Sequence, residues 1–303
     1  MTAPRRHPVR MSRHHHGHHD HDDTHMDWNE MLPLLEQGAE LQGPLYRQAA
    51  AWLGELAPAA GVRRILDIGS GPGVLSCLLA EAFPYAEVVA VDATPELLER
   101  TRERARAASL GDRVTTHHAD LPGGIAGLGR ADLIWAADSL HHLGDQRGAV
   151  AELAGRLRPG GLLAVVEGGL PTRRLPHNFG IGRPGLEARI DAVHADWFAE
   201  MRAGLPGAKE DVDDWRALLS GAGLVPSGTR TFLHDMPAPV TDAVRQQIVT
   251  VFARYRDGLG ERLAPEDVAT LDRLLDPADP QSLHHRPDVF LLTARTVHTA
   301  RRG

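Results

Sequence analysis

The chain has 303 residues, of which 42% are hydrophobic and 24% charged, and its net charge is −7. This is enough for one large core with appended elements, or for two small domains. The acid excess gives no general attraction to nucleic acid or to an anionic membrane. Lys209 is the single lysine, and the scattered arginines read as coding bias rather than a binding surface. The single cysteine, Cys77, excludes an internal disulfide and a cysteine-based metal site. Set in the apolar run VLSCLLAEAF, it reads as a small buried hydrophobe. No apolar stretch reaches the ~20 residues a membrane span requires, and no hydrophobic run follows the N-terminal arginines. A soluble, cytoplasmic protein is expected.

In chain order, residues 1–25 hold eight of the 18 histidines and almost nothing apolar, so they are expected to be a disordered tail. Metal binding by this His/Asp tract is the alternative to a solvated tail. Residues 26–60 read as a helical cap: one helix opens at Asp27, and a second has Pro44 in its first turn. From 61 onward short apolar runs alternate with helical patterns, which predicts a parallel sheet covered on both faces. Strands are expected at 62–68, 88–93, 114–120 and 131–138, and as LLAVVEG after RPGG stops a helix. The alternation breaks after Gly169. Inserts are expected at about 171–210 and 240–285, separated by a helix from Asp211 and a strand near 228–234, with DVFLLTARTVHTA as the final strand.

The strongest motif is Leu66-Asp67-Ile68-Gly69-Ser70-Gly71-Pro72-Gly73, at the first strand–helix junction. Glycine there admits a ligand to the backbone, and in an open α/β sheet that junction is where ligands bind. A dinucleotide loop would carry Gly or Ala where this chain has Val74, and the GK[ST] of a phosphate loop is missing. Asp92 ends the second strand, 25 residues after Asp67, where a carboxylate can accept both hydroxyls of a ribose. Asp120-Leu121 follows the third strand, placed to meet an adenine. Any one of these aspartates is commonly a turn former. Three at successive strand ends point to a ligand.

LDIGSGPG, VVAVDA, HHADLP, ADLIWAADSLHHL and LRPGG together resemble the successive motifs of the class I S-adenosylmethionine (SAM)-dependent methyltransferases. The resemblance covers about 62–169 and implies a Rossmann-like α/β fold. Its seven-stranded sheet is mostly parallel with an antiparallel last strand, helices on both faces, the N-terminal cap, and helical inserts after strands 5 and 6. It implies SAM as cofactor, with Gly69, Ser70, Gly71 and Gly73 against its methionine part. Asp92 and Ala93 would hold the ribose, and Asp120 and Leu121 the adenine. Asp67 and the backbone near Ala136 would face the amino-acid end, with Tyr46 and Arg47 of the cap as contacts to its carboxylate.

Methyl transfer from a sulfonium needs alignment and desolvation more than covalent help. A proton acceptor, where the acceptor atom needs one, is expected among Asp138, His141 and His142. The alternative is that one histidine only braces its loop. Acceptor contacts are expected from His177, Phe179, Arg183, His194, Trp197 and Phe198 of the first insert, suited to a small aromatic molecule of specialised metabolism. The competing reading of the aromatics is that they pack the insert onto the domain. A nicotinamide-dependent oxidoreductase and a non-catalytic SAM- or metal-binding protein are the rival functions. A small-molecule acceptor is the expected partner, with no nucleic acid and no membrane, and a homodimer is left open. No metal site is expected outside the tail.

Overall fold

A computed structural model describes residues 28–205, 207–209 and 212–303. The His-rich tail and Asp27 lie outside the described residues. Strands β1 (Arg64–Ile68), β2 (Glu87–Asp92), β3 (Val114–His118), β4 (Ala131–Ala137), β5 (Leu157–Arg173), β6 (Leu224–Met236) and β7 (Leu291–Arg302) form one sheet. Its order is β3-β2-β1-β4-β5-β7-β6. The first five strands run parallel, and β7 lies antiparallel between β5 and β6.

The buried strands are short apolar runs because both faces are covered. On one face, helices α2 (Gly43–Leu56) and α3 (Val74–Ala82) bury Leu45, Leu53, Phe83 and Trp135. On the other, α5 (Gln146–Arg156) and α7 (Trp215–Gly221) bury Val150, Leu153, Trp215 and Leu218. Asp145 caps α5 by accepting the Gly148 N–H at 2.8 Å, and Asp214 caps α7 by accepting that of Ala217 at 3.0 Å. The inserts form α6 (Leu186–Ala203), α8 (Asp242–Leu259) and α9 (Pro265–Leu275), which close a third cluster around Phe179, Ile190, Ile248, Phe252 and Leu271.

Two boundaries differ from expectation. Strand β5 begins directly after α5 and continues past Gly169, because Leu170 and Arg173 still pair with Ala294 and Leu292 of β7. Strand β6 is longer at both ends for the same reason: it pairs with β7 along its length. Tertiary pairing overrides local composition here.

The cap also sits differently. Helix α1 (Trp28–Leu41) is clasped to α4 (Pro95–Ala107) by Glu36, which accepts two N–H groups of Arg100 at 2.7 and 3.0 Å and one of Arg104 at 2.8 Å. Helix α2 lies in the core against α3 and β6, with Trp52 on Phe232 at 6.0 Å between ring centroids.

Candidate functional site

The strand order turns between β1 and β4, and a cavity of about 460 Å³ opens at the carboxyl ends of β1, β2 and β4. Gly69, Asp92, Ala93, Asp120, Leu121, Asp138 and His142 all line it. The glycine loop is folded over β2: the N–H groups of Gly69 and Ser70 both donate to the Val91 carbonyl, at 2.9 and 3.1 Å. At Gly73, φ is +77° and a side chain would strike Thr101 of α4, so this glycine lets two helices meet. Gly71, with φ +55°, faces open space, the geometry expected where a ligand must approach the backbone. Asp92 is fixed by two backbone donors, Gly71 N–H to Oδ2 and Thr94 N–H to Oδ1, both at 2.9 Å. Each carboxylate oxygen keeps a second lone pair for hydroxyls in the cavity. The residues present therefore fit a nucleoside with a free ribose diol.

Other cofactor candidates lie off the cavity. Asp67 is buried under the loop, where its Oδ2 accepts the Ser76 hydroxyl at 2.5 Å. Burial raises its pKa to about 7. The hydrogen bond to Ser76 makes this carboxyl a support for the loop. A raised carboxyl contributes stability below its ordinary value near 3.8 and loses it as pH rises to about 7. Between those two values the loss runs at about 1.4 kcal/mol for each pH unit. Asp67→Asn is expected to lack this slope and to be more stable than the parent at pH 8. Urea unfolding at several pH values checks it. Ala136 is fully buried within β4. Arg47 is exposed and lines a groove between α2 and α3 with Ala51 and Glu81, away from Asp92. None of the described side chains of cap helix α1 lines the cofactor cavity either.

Tyr46 is buried, and its hydroxyl donates to Asp138 Oδ2 at 2.5 Å. Burial and the charge of Asp138 hold its pKa well above the usual tyrosine value, so it stays a donor. Asp138 Oδ1 also lies 3.2 Å from Arg295 Nε. Burial works against the Arg295 charge, but Asp138 outweighs it. The backbone at Asp138 is left-handed, with φ +47°. Aspartate tolerates this better than most residues.

A 3-10 turn, Leu140–His142, carries two histidines whose rings lie 4.1 Å apart and both pack on Phe198, although each borders a different cavity. His142 lines the cofactor cavity, and burial together with neighbouring His141 pushes its pKa down to about 4. His141 lines a second cavity, of about 610 Å³, also walled by Asp138, His194, Phe198, Trp215, Arg295 and His298. Its Nδ1 lies 2.7 Å from Oε2 of Glu167, which is only 3% exposed. Burial alone would lower the His141 pKa, but the hydrogen bond and charge of Glu167 raise it. The other oxygen of Glu167 accepts the N–H groups of Ser139, Leu140 and His141 at 3.1, 2.8 and 3.3 Å. One buried carboxylate thus builds the turn and orients the imidazole, leaving Nε2 available.

Of the expected acceptor residues, His194 and Phe198 reach this second cavity. Trp197 stacks behind His194 at 5.4 Å. His177, Phe179 and Arg183 do not reach it. Phe179 is buried in the insert core under Arg286, His177 is exposed and its carbonyl accepts the Gly185 N–H, and Arg183 pairs with Glu266 and Asp267. These three hold the insert together. Glu167, Trp215, Arg295 and His298 were not foreseen. His298 has a buried Nδ1 without a partner among the described residues, and burial lowers its pKa. The EGG sequence within β5 was the local signal for Glu167.

Among the described residues no helix is long and apolar enough to cross a membrane, and no group of three or more His, Cys, Asp or Glu side chains is placed to hold a metal ion. The family described as "Methyltransferase domain" matches residues 65–161. Trans-aconitate 2-methyltransferase of Methylobacterium radiotolerans is 31% identical over 255 residues, covering 77% of this chain and 90% of that enzyme. The 27-O-demethylrifamycin SV methyltransferase of Amycolatopsis mediterranei is 32% identical, covering 63% of this chain and 64% of its own. A SAM-dependent methyltransferase of Geobacter sulfurreducens, solved with S-adenosylhomocysteine, aligns at 18% identity and TM-score 0.47 over 84% of this chain and 91% of its own. With a relative of 31% identity matched over nine-tenths of its length, the chain belongs to the class I SAM-dependent methyltransferases, an enzyme family whose methyl donor is SAM.

Proposed function

We propose that this enzyme methylates an oxygen or nitrogen atom of a small aromatic metabolite, with the His141–Glu167 pair as proton acceptor. The observation that carries this reading is the adjacency of the two cavities, which share Asp138 as a wall. Bound SAM supplies an electrophilic methyl on a sulfonium. Asp92 accepts the ribose hydroxyls, Asp120 and Leu121 flank the adenine, and Gly71 leaves room at the methionine end. On the acceptor side, Phe198, Trp215, His194 and His298 offer ring faces and edges to a flat molecule. Asp138 is paired with Arg295, Glu167 with His141 and Asp213 with Arg202, so the cavity suits a neutral ring system. Glu167 holds the His141 ring so that Nε2 can take the proton released when a hydroxyl or protonated amine is methylated.

The test is turnover with SAM on a panel of phenols, aromatic amines, trans-aconitate and a demethylated macrocycle, read by mass spectrometry of the product. Methylation of phenols or anilines supports the reading, and activity confined to trans-aconitate would overturn it. For the cofactor half, Asp92→Ala should weaken SAM by about 1–3 kcal/mol, the cost of leaving buried hydroxyls without an acceptor. Unchanged calorimetric affinity would remove Asp92 from the ribose site.

A further inference from the structure

A third cavity, of about 170 Å³, lies between α1, α8 and the outer ends of β5 and β7. At ~10–15 Å³ per water it has room for about a dozen waters, enough for a small carboxylate-bearing group. Its polar lining residues include Arg174, Arg254, Gln42, Gln247, Thr172 and Thr293. No carboxylate lines it. The cofactor and acceptor cavities, by contrast, are each lined by three.

Neither guanidinium group is fully consumed by the other described residues. Arg254 makes no ion pair or hydrogen bond with the other described residues. Arg174 Nη1 forms a long ion pair with Glu187 at 3.7 Å and donates to the Thr172 carbonyl at 3.4 Å, and its other guanidinium nitrogens have no partner among the described residues. Oε1 of Gln42 is buried without a partner among the described residues. Rotated, that carboxamide presents two donors to an anion. The remaining walls are mostly aliphatic and would strengthen charge-assisted contacts by excluding water.

This cavity adjoins the acceptor site through one side chain. Arg295 donates from Nη1 to Thr293 Oγ1 at 3.2 Å and reaches Asp138 through Nε. We infer that the cavity is a carboxylate subsite in which Arg174 and Arg254 grip a small acid beside the acceptor. Guanidinium forks match a carboxylate in two-point geometry, while the Thr293 hydroxyl is committed to the Leu170 carbonyl at 3.2 Å and to Arg295. The inference rests on the acceptor-site reading above. The carboxylate belongs either to the acceptor's own distal arm or to a separate small acid.

The direct test is calorimetry on the full chain saturated with S-adenosylhomocysteine, titrated with succinate and with its neutral analogue succinamide. Saturable binding of succinate but not succinamide is expected, with at least a tenfold loss in Arg254→Gln and unchanged affinity for S-adenosylhomocysteine. Arg254 is exposed and holds no ion pair among the described residues, so this variant should fold, whereas Arg174→Gln is the secondary variant because it borders buried Glu187. Succinate that does not saturate, or that binds Arg254→Gln as it binds the parent, overturns the subsite. Failure of the parent to bind S-adenosylhomocysteine would instead strike the proposed function. An acceptor-borne carboxylate shows as a tenfold higher KM in Arg254→Gln for acidic acceptors only, with succinate competing. A separate acid shows as succinate changing turnover of neutral acceptors in the parent and not in the variant.

Discussion

Alanine at His141 is expected to cut kcat by about 10²–10⁴-fold while SAM binds as before, the usual loss when a general base is removed. His141 lines the acceptor cavity and is held by Glu167, whereas His142 lines the cofactor cavity. With its pKa near 4, His142 is a poor proton acceptor at neutral pH. His142→Ala should therefore act mainly on SAM affinity. Stopped-flow single turnovers with the two variants separate the roles. If His142→Ala loses chemistry and His141→Ala loses only cofactor affinity, the assignment is reversed. The pH profile adds a second readout. Glu167 holds the His141 pKa above its ordinary 6.5, so the acidic limb of kcat should lie above that value and move down in Glu167→Gln.

Glu167→Ala should be the most destabilising single substitution in the site. It strips the acceptor from three N–H groups in the turn, each worth about 1–3 kcal/mol when left buried and unpaired. A Tm fall on the order of 10 °C follows for a domain of this size. Glu167→Gln keeps an oxygen for those donors and should recover most of that stability without recovering kcat. A carboxamide cannot stabilise an imidazolium as a carboxylate does. The His141–Glu167 pair also predicts a stability contribution that is complete below the ordinary His pKa of 6.5. That contribution is lost as pH rises through the raised value. Differential scanning calorimetry of the parent and both variants at pH 6 and pH 9 checks both statements. An alanine variant that melts with the parent would show that the turn does not depend on Glu167.

That Gly69, Asp92 and Asp120 would meet at one cavity was legible in the sequence because the signal is local. Gly69, Asp92 and Asp120 each sit where a strand ends and a helix or turn begins, and the strand order alone brings those ends together. The acceptor half was not legible because its residues come from four separate stretches. Glu167, Phe198, Trp215 and His298 meet only after β7 inserts between β5 and β6 and α6 folds across the end of the sheet. Composition misled at 177–183: aromatic and basic residues there looked like ligand contacts, but Phe179 and Arg183 hold the insert cluster together. Tyr46 was expected on the cap as a contact to the cofactor's carboxylate, and its hydroxyl is held by Asp138. Its partner, Asp138, depends on how deeply α2 is buried.

Asp138 borders both cavities, and its carboxylate is already shared between Tyr46 and Arg295 on a left-handed backbone. Such a wall makes the two ligands thermodynamic neighbours. Whatever factor SAM contributes to acceptor affinity by settling Asp138, the acceptor must return to SAM, since linkage between two sites is reciprocal. The same reciprocity applies after transfer, when S-adenosylhomocysteine and the methylated product face each other across that residue. Loss of positive charge from sulfur changes what Asp138 sees on one side only, so each product's grip on the enzyme is expected to depend on whether the other has left.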